Sequence, residues 1–195
     1  MPGHDGRGSL QWVEELINTR SVESGTDEIA TPVLLATWLR DRFLLPAGVS
    51  VTSDEHQRAI RAREGLRALA AANGAKPEPA DHARGDRLRR RGLTGSALAD
   101  LAGLARRLPL VLDTDARPPR LVPVSRGTAD AVLAALLAAV AESVANGTWN
   151  RLKVCREPDC RWAYFDHSRN RSRAWCSMTV CGNRAKARAF RRRTR

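Results

Sequence analysis

The spacing of apolar residues along the first 150 positions predicts a helical body. Leu10, Val13 and Leu16 recur at intervals of three and therefore share one face of a helix. Further helices are delimited by Thr and Ser, which cap helix starts, and by Gly and Pro, which end helices. Five helices are predicted. The first ends at about Asn18, the second begins at Thr31-Pro32 and ends before Pro46, and the third is capped by Thr52 or Ser53 and ends at Asn73-Gly74. The fourth is capped by Ser96, and the fifth covers 128–146.

Three segments depart from this helical pattern. Residues 76–91 combine Pro, Gly and charges and predict a loop or a weak helix. Short β-prone runs at 109–112 and 120–124 flank a turn-rich connector and predict a hairpin. Residues 1–9 are polar and rich in Gly, so we expect a disordered leader there. The predicted fold class of the body, 10–148, is therefore mainly α with a small β element (α+β).

The cysteines form two pairs, each enclosing four residues, with fifteen residues between the pairs: Cys155, Cys160, Cys176 and Cys181. Two closely spaced thiolate pairs are typical of a tetrahedral zinc site, so we predict one Zn²⁺ per chain. Two alternatives stay open, namely reduced cysteines without metal and an iron–sulfur cluster. His167 could compete as a ligand, although a lone His in a basic loop is more often solvated.

The expected zinc site is structural. Four thiolates leave zinc no open position for water or substrate, which argues against catalytic zinc. No nucleophile–base pair, phosphate-binding glycine loop or group of carboxylates stands out elsewhere in the chain. We therefore do not expect an enzyme.

The residues that flank the cysteines predict how the site folds. Alternating apolar residues at 152–154 and 161–165 place the first pair at the tip of a hairpin, and Ser177 can cap a helix at the second pair. A hairpin and a helix start that share one zinc ion form a treble-clef-like four-cysteine finger, here 149–195, which ends in a basic helix. Zinc should supply much of the folding free energy of so small a unit.

The aromatic residues of the finger have two interpretations. Trp162, Phe165 and Trp175 are expected to form its mini-core. The alternative is that Trp162 or Tyr164 forms a platform on which bases stack.

Positive charge is concentrated in the same segment. The whole chain has a net charge of +12, and the residues from Arg151 onward contribute 14 Lys/Arg against 3 Asp/Glu. This asymmetry indicates a polyanionic partner, with nucleic acid ahead of an anionic membrane surface. No apolar run approaches the about 20 residues that span a bilayer, and no secretory leader is visible. We expect no membrane partner and a cytoplasmic, nucleoid-associated location.

A helix that begins at Ser177 would align four arginines on one face, since 184, 188, 191 and 195 are four, three and four residues apart. Arginine can contact both phosphate and the guanine edge in the major groove. The predicted nucleic-acid contacts are Arg169, Arg171, Arg173, Asn183, Arg184, Lys186, Arg188, Arg191, Arg192 and Arg195. The alternative is that this charge run is a solvated face.

The segment 165–186 resembles the CGNR zinc finger, a family named for the tetrapeptide found here as Cys181-Gly182-Asn183-Arg184. Residues 10–148 resemble, more loosely, the ABATE domain that accompanies this finger. That resemblance is carried by Asn18-Thr19-Arg20, by Trp38-Leu39 and by Glu64-Gly65-Leu66-Arg67. Proteins of this family are described as stress-induced bacterial transcription regulators. The resemblance implies zinc on the four cysteines, DNA binding by the finger, and a sensing or dimerising role for the body.

Three functional hypotheses follow. The first is a transcription regulator that binds duplex DNA through the finger. The second is an RNA- or ribosome-associated zinc module. The third is an adaptor whose body binds a protein or a small molecule while the finger only localises it. The sequence leaves open whether the body forms a homodimer or binds a small-molecule effector.

Overall fold

The computed structural model describes residues 8–42, 44–74 and 84–194, with the side chains of 84–93 and 192 left aside. Six α-helices and four short strands occur in these residues. The helices are α1 (Leu10–Asn18), α2 (Pro32–Asp41), α3 (Ser53–Ala72), α4 (Arg84–Ala105), α5 (Ala129–Ala145) and α6 (Asn183–Arg193). The strands are β1 (Leu110–Asp113), β2 (Arg120–Pro123), β3 (Leu152–Val154) and β4 (Ala163–Phe165). The mainly α fold class with small antiparallel strand pairs is confirmed.

Capping residues begin the helices where the sequence predicts. Thr52 and Glu55 form a capping box at the start of α3, each side chain bonding the other residue's backbone N–H. The Thr31 hydroxyl accepts from the N–H of Leu34, and that of Thr128 accepts from the N–H of Ala131. These bonds satisfy amides that a helix start leaves without a backbone partner.

The predicted start of the fourth helix at Ser96 is wrong, because α4 begins at Arg84 and Ser96 lies inside it. Residues 84–91 are therefore helical, while 75–83 lie outside the described residues. The close contact between α3 and α4 depends on a glycine of α3. A Cβ atom on Gly65 of α3 would lie 2.5 Å from Leu101 Cβ, so the two helices touch where Gly65 has no side chain. The second helix also ends earlier than predicted, at Asp41.

The two strand pairs are antiparallel hairpins. In the predicted β1–β2 hairpin, Leu112 lies opposite Leu121 and Asp113 lies opposite Arg120. In the second hairpin, Leu152 lies opposite Phe165. The helix α5 contacts β2, and both α1 and α3 contact the second hairpin.

One hydrophobic core runs through the helices and into the cysteine-bearing segment. Leu152, Val154, Ala163 and Phe165 are buried in the same cluster as the apolar residues of α1, α2, α3 and α5. The predicted mini-core of Trp162, Phe165 and Trp175 is therefore wrong. Phe165 belongs to the main core, while Trp175 packs on the cysteines. So short a hairpin has too little apolar surface of its own, and the helices supply the rest.

Among the described residues, none of the helices combines the length and apolar character that crossing a membrane requires.

Candidate metal centre

The four cysteine side chains converge on one point. Their Sγ atoms all lie within 4.8 Å of one another. The distance is 3.6 Å between Cys160 and Cys176 and 3.7 Å between Cys176 and Cys181. A tetrahedral zinc ion with Zn–S bonds of about 2.3 Å requires sulfur atoms about 3.8 Å apart. The four thiols are free of disulfides, and their spacing is close to that of a zinc site.

The first two ligands are held by the turn that joins β3 to β4. The N–H of Cys155 donates to the carbonyl of Trp162 at 2.8 Å, and the N–H groups of Cys160 and Arg161 both donate to the carbonyl of Glu157. Arg161 has a φ of 50°, in the left-handed region that non-glycine residues rarely adopt. This tight turn, 155–161, is called the zinc turn, and it directs both sulfur atoms to the same side.

The second two ligands are held by a π-helical turn, 178–182, that leads into α6. The Ser177 hydroxyl accepts from the N–H of Val180, as predicted for the helix start. The N–H of Gly182 donates to the carbonyl of Ser177, five residues earlier. A Cβ on Gly182 would lie 2.5 Å from the sulfur of Met178, so a larger residue here would displace the Met178 side chain. The wider turn brings Cys181 next to Cys176.

The protein environment keeps the thiols of Cys176 and Cys181 protonated in the absence of a cation. Burial raises the pKa of Cys181 to about 12, and the adjacent thiols of Cys160 and Cys155 add to this. Burial also raises the pKa of Cys176, and the neighbouring thiols of Cys160 and Cys155 raise it further. Four adjoining thiolates, three of them buried, can coexist only around a metal ion, which supplies the compensating positive charge.

His167 is not a member of this group. It is exposed, and its ring lies 5.0 Å from that of Phe165. Within the described part of the chain, the four cysteines are the one group of side chains placed closely enough to hold a metal.

Comparison with protein families now identifies both parts of the chain. A family model described as "CGNR zinc finger" matches residues 151–194. A second model, ABATE, described as "Putative stress-induced transcription regulator", matches residues 10–147, more than half of the chain. The chain belongs to the ABATE family. No curated protein matches it. The sulfur geometry and the finger family together confirm the predicted zinc site.

Side chains of the ABATE helices hold the CGNR finger through its backbone. The amide of Asn18 in α1 both donates to the Ala163 carbonyl at 2.9 Å and accepts from the Ala163 N–H at 2.8 Å, as a neighbouring strand would. Asn73, at the end of α3, donates to the carbonyls of Trp149 and Leu152, each at 2.9 Å. The finger is thereby fixed to the body at both of its strands.

Two arginines of α3 are buried, and one of them, Arg67, completes this attachment. Arg67 donates to the carbonyl of Arg161 at 3.0 Å and to that of Ile17 at 2.7 Å. Arg63 donates to both carboxylate oxygens of Asp27, at 2.7 and 2.8 Å, and to the hydroxyl of Thr19. Although burial alone would raise it, the pKa of Asp27 is lowered by Arg63.

Sequence reasoning did not anticipate these arginines, although a usable indication exists. Arg63 directly follows Ala62, and Arg67 directly follows Leu66, so each lies next to an apolar residue that is buried in α3. Charged side chains are almost never fully buried unless they are paired, so a cation within an apolar stretch is a candidate for a buried ion pair.

A buried ion pair shapes the basic loop before the second cysteine pair. Lys153 Nζ lies 2.7 Å from Asp166 Oδ2 and also donates to the carbonyl of Arg171. Asp166 accepts the backbone N–H groups of Ser168 and Arg173, each at 3.0 Å. Burial opposes ionisation of Asp166, but the hydrogen bonds from Lys153 and Ser168 lower its pKa to about 2.

The loop cations that the sequence selects have different environments. Arg169 and Arg171 are exposed. Arg173 is also exposed, yet its guanidinium donates to the carbonyls of Trp175 and Cys176 and lies 4.9 Å from the centre of the Tyr164 ring. Arg173 therefore links the basic loop to the backbone at the second cysteine pair.

The two candidate stacking residues are placed unfavourably for bases. Tyr164 is buried, and its hydroxyl donates to the carbonyl of Arg173 at 2.8 Å, so it offers no platform. Trp162 is 37% exposed, but it faces a cavity lined also by Glu15 and Glu28. Carboxylates beside this indole disfavour a polyanion there.

The predicted arginine stripe of α6 turns toward the protein's own carboxylates. Arg184 pairs with Glu23 of the ABATE domain at 2.7 Å, and Arg188 pairs with the buried Glu157 of the zinc turn at 2.6 Å. Arg195 and the side chain of Arg192 lie outside the described residues.

The solvent-facing surface of α6 includes one residue of that stripe, Arg191, and several residues outside it. Lys186 and Arg193 are exposed, as is Arg191. Phe190 lies on the same helix with 68% of its surface exposed. Asn183 is exposed as well, and its amide donates to the Thr179 carbonyl. The exposed surface of α6 is therefore broader than the predicted stripe.

Proposed function

We propose that this ABATE protein is a zinc-dependent transcription regulator whose CGNR finger binds duplex DNA. The observation that carries the proposal is the charge of the folded finger surface. Positions 167–195 contain ten Lys or Arg residues and no Asp or Glu. The zinc site and the Lys153–Asp166 pair fix the loop and α6 that bear this charge.

The dimensions of α6 suit the major groove of B-DNA. The helix has eleven residues, which gives a length of about 16 Å. The groove admits one α-helix, and cations along its rim contact phosphates while other residues reach the bases. In this proposal Lys186, Arg191 and Arg193 contact the backbone, joined by Arg169 and Arg171 from the loop.

Two cations of the predicted stripe, Arg184 and Arg188, already have carboxylate partners within the protein. Arg184 and Glu23 are both substantially exposed, and an exposed ion pair contributes little stability, so a phosphate can replace Glu23. Arg188 is held by a buried carboxylate and serves instead to orient α6 on the zinc turn. We assign Arg184 a direct contact and Arg188 a positioning role.

The ABATE domain then sets the finger's orientation and is the part that would sense a signal or form a dimer. We propose no catalysis, because a site of four thiolates keeps zinc fully coordinated. A regulator of this kind would act in the cytoplasm at the nucleoid.

Selection of bound duplexes from a random pool tests the proposal. Zinc-loaded protein should enrich a defined sequence, whereas protein treated with a chelator should enrich none. RNA hairpins assayed at the same salt concentration provide the comparison, because phosphate contacts make affinity depend on salt. Equal or tighter binding to the hairpins would favour the RNA-associated alternative. Absence of binding to either nucleic acid would favour the adaptor alternative.

A further inference from the structure

A cleft of about 910 Å³ lies between the β1–β2 hairpin and α5. Its lining residues belong to the ABATE domain and to Ser9, which precedes it, so the cleft is separate from the zinc centre. Alanines at 135, 138 and 139 form its helical side. Because these side chains are small, the hairpin and the helix leave open space where larger residues would have filled it.

The hairpin contributes to this cleft a pair of apolar side chains that lie outside the hydrophobic core. Leu112 and Leu121 lie directly opposite each other, and they are 58% and 43% exposed. Neither belongs to the hydrophobic core of the described residues. Adjacent exposed leucines in a concave surface are typical of a binding site, and the volume lies in the range of small-molecule sites.

Two cations line the same cleft. Arg117 is fixed by donating to the carbonyls of Thr114 and Ala116. The guanidinium of Arg120 makes no hydrogen bond or ion pair with any described residue, although Asp113 is opposite it in register. Asp113 accepts backbone N–H groups of its own turn instead. Glu142 is the one carboxylate of the lining, so the balance is positive.

We propose that this cleft binds a small amphiphilic carboxylate. The apolar part of the ligand lies between the leucine pair and the alanines of α5, and its carboxylate accepts from Arg120. An alkyl or an aryl acid would satisfy this chemistry. The proposal does not depend on DNA binding by the finger.

Calorimetric titration of the full-length, zinc-loaded protein provides the test. Decanoate should bind at least tenfold more tightly than decanol, because hydrogen bonds to a charged group are stronger than neutral ones. Decylammonium should bind more weakly still. Comparing decanoate with 1-naphthoate distinguishes an alkyl from an aryl site.

Three variants locate the ligand. Arg120→Ala should weaken decanoate binding about tenfold and leave decanol unchanged. Arg126→Ala is the matched control, since Arg126 is exposed and lies outside the cleft lining. Ala135→Leu, at an exposed position of the lining, should fill the cleft and abolish binding without lowering the unfolding midpoint.

The proposal is overturned if decanoate and decanol bind equally, if Arg126→Ala weakens binding as much as Arg120→Ala, or if neither acid binds. It is also overturned if Leu112→Asp converts a dimer into monomers in sedimentation. The leucine pair would then be a contact between two copies of the chain.

Discussion

The guanidinium of Arg67 donates a 3.0 Å hydrogen bond to the carbonyl of Arg161, the residue directly after the zinc ligand Cys160. The same guanidinium donates to the carbonyl of Ile17, so one buried side chain joins two ABATE helices to the zinc turn. Arg161 has a positive φ, which is unfavourable for a residue with a Cβ. Arg67 therefore helps to hold the zinc turn in a conformation that it would seldom adopt alone.

Replacing Arg67 should weaken the zinc site from a distance. We expect Arg67→Met to lower zinc affinity about tenfold or more, as loss of outer-shell support does at other metal sites. Arg67→Lys should rescue little, because a single ammonium cannot reproduce the planar fork. Competition with a chromophoric chelator measures the affinity. Arg61→Met, at an exposed position of the same helix, is the control, and an equal loss there would contradict the prediction.

Removal of zinc should destabilise the ABATE domain as well as the finger. Leu152, Val154, Ala163 and Phe165 belong to the common core, so disordering the finger exposes apolar surface of α1 and α3. Chelation should therefore lower the denaturant midpoint of helix loss, followed by circular dichroism. An unchanged midpoint after complete removal of zinc would show that the helices fold independently of the finger.

Zinc binding should release protons. The raised pKa values of Cys176 and Cys181 mean that these two thiols are protonated at pH 7 without metal, and zinc requires thiolates. At least about two protons should therefore leave per zinc ion bound, so affinity should fall as the pH is lowered. Calorimetry in buffers of different ionisation enthalpy counts these protons. Release of one proton or fewer would mean that the thiols are already ionised without metal.

The zinc ligands, the cap at Ser177 and most helix bounds could be predicted because they depend on local sequence. The spacing of the cysteines identifies the zinc ligands, and a helix cap involves only three or four neighbouring residues. The attachment of the finger could not be predicted in this way. Asn18 and Ala163 are 145 residues apart, and no local pattern couples an amide side chain to a strand backbone at that distance.

The partners of the arginine stripe could not be predicted from local sequence either. Helical spacing places Arg184 and Arg188 on one face, but it does not determine which residues that face contacts. Glu23 and Glu157 come from distant segments, and only the fold brings them to α6. The exposure of Phe190 likewise depends on the fold, because the sequence of a basic helix does not determine which of its faces packs against the protein.

Breaking the buried Lys153–Asp166 pair should destabilise the finger strongly. Asp166→Asn leaves Lys153 buried without its counter-ion, with an expected loss of about 3–5 kcal/mol at pH 7. The double variant Lys153→Met/Asp166→Leu should recover much of this, because it removes both charges. Urea unfolding measures both variants. Equal stability of the single and double variants would contradict a role for the unpaired charge.

The same pair has a pH dependence with a defined sign. The folded pKa of Asp166, about 2, lies below its ordinary value of 3.8. Its ionised form therefore contributes stability that is complete above about pH 4 and is lost as the pH falls toward 2. The difference in unfolding free energy between wild type and Asp166→Asn, measured at one total zinc concentration, should shrink over that interval, since loss of zinc at low pH affects both proteins alike. A constant difference from pH 4 to pH 2 would show that the carboxylate charge is not responsible.

Lys186 and Phe190 of α6 should affect DNA binding in physically different ways. If Lys186 contacts a phosphate, Lys186→Ala weakens binding and reduces the slope of log affinity against log salt by about one. Phe190 carries no charge, so Phe190→Ala should weaken binding to the selected duplex without changing that slope. Fluorescence anisotropy over a range of salt concentrations measures both quantities, with Arg106→Ala, an exposed cation of the ABATE domain, as the control. A reduced slope in the Arg106 variant, or an unchanged slope in the Lys186 variant, would mean that the exposed surface of α6 is not the surface that contacts DNA.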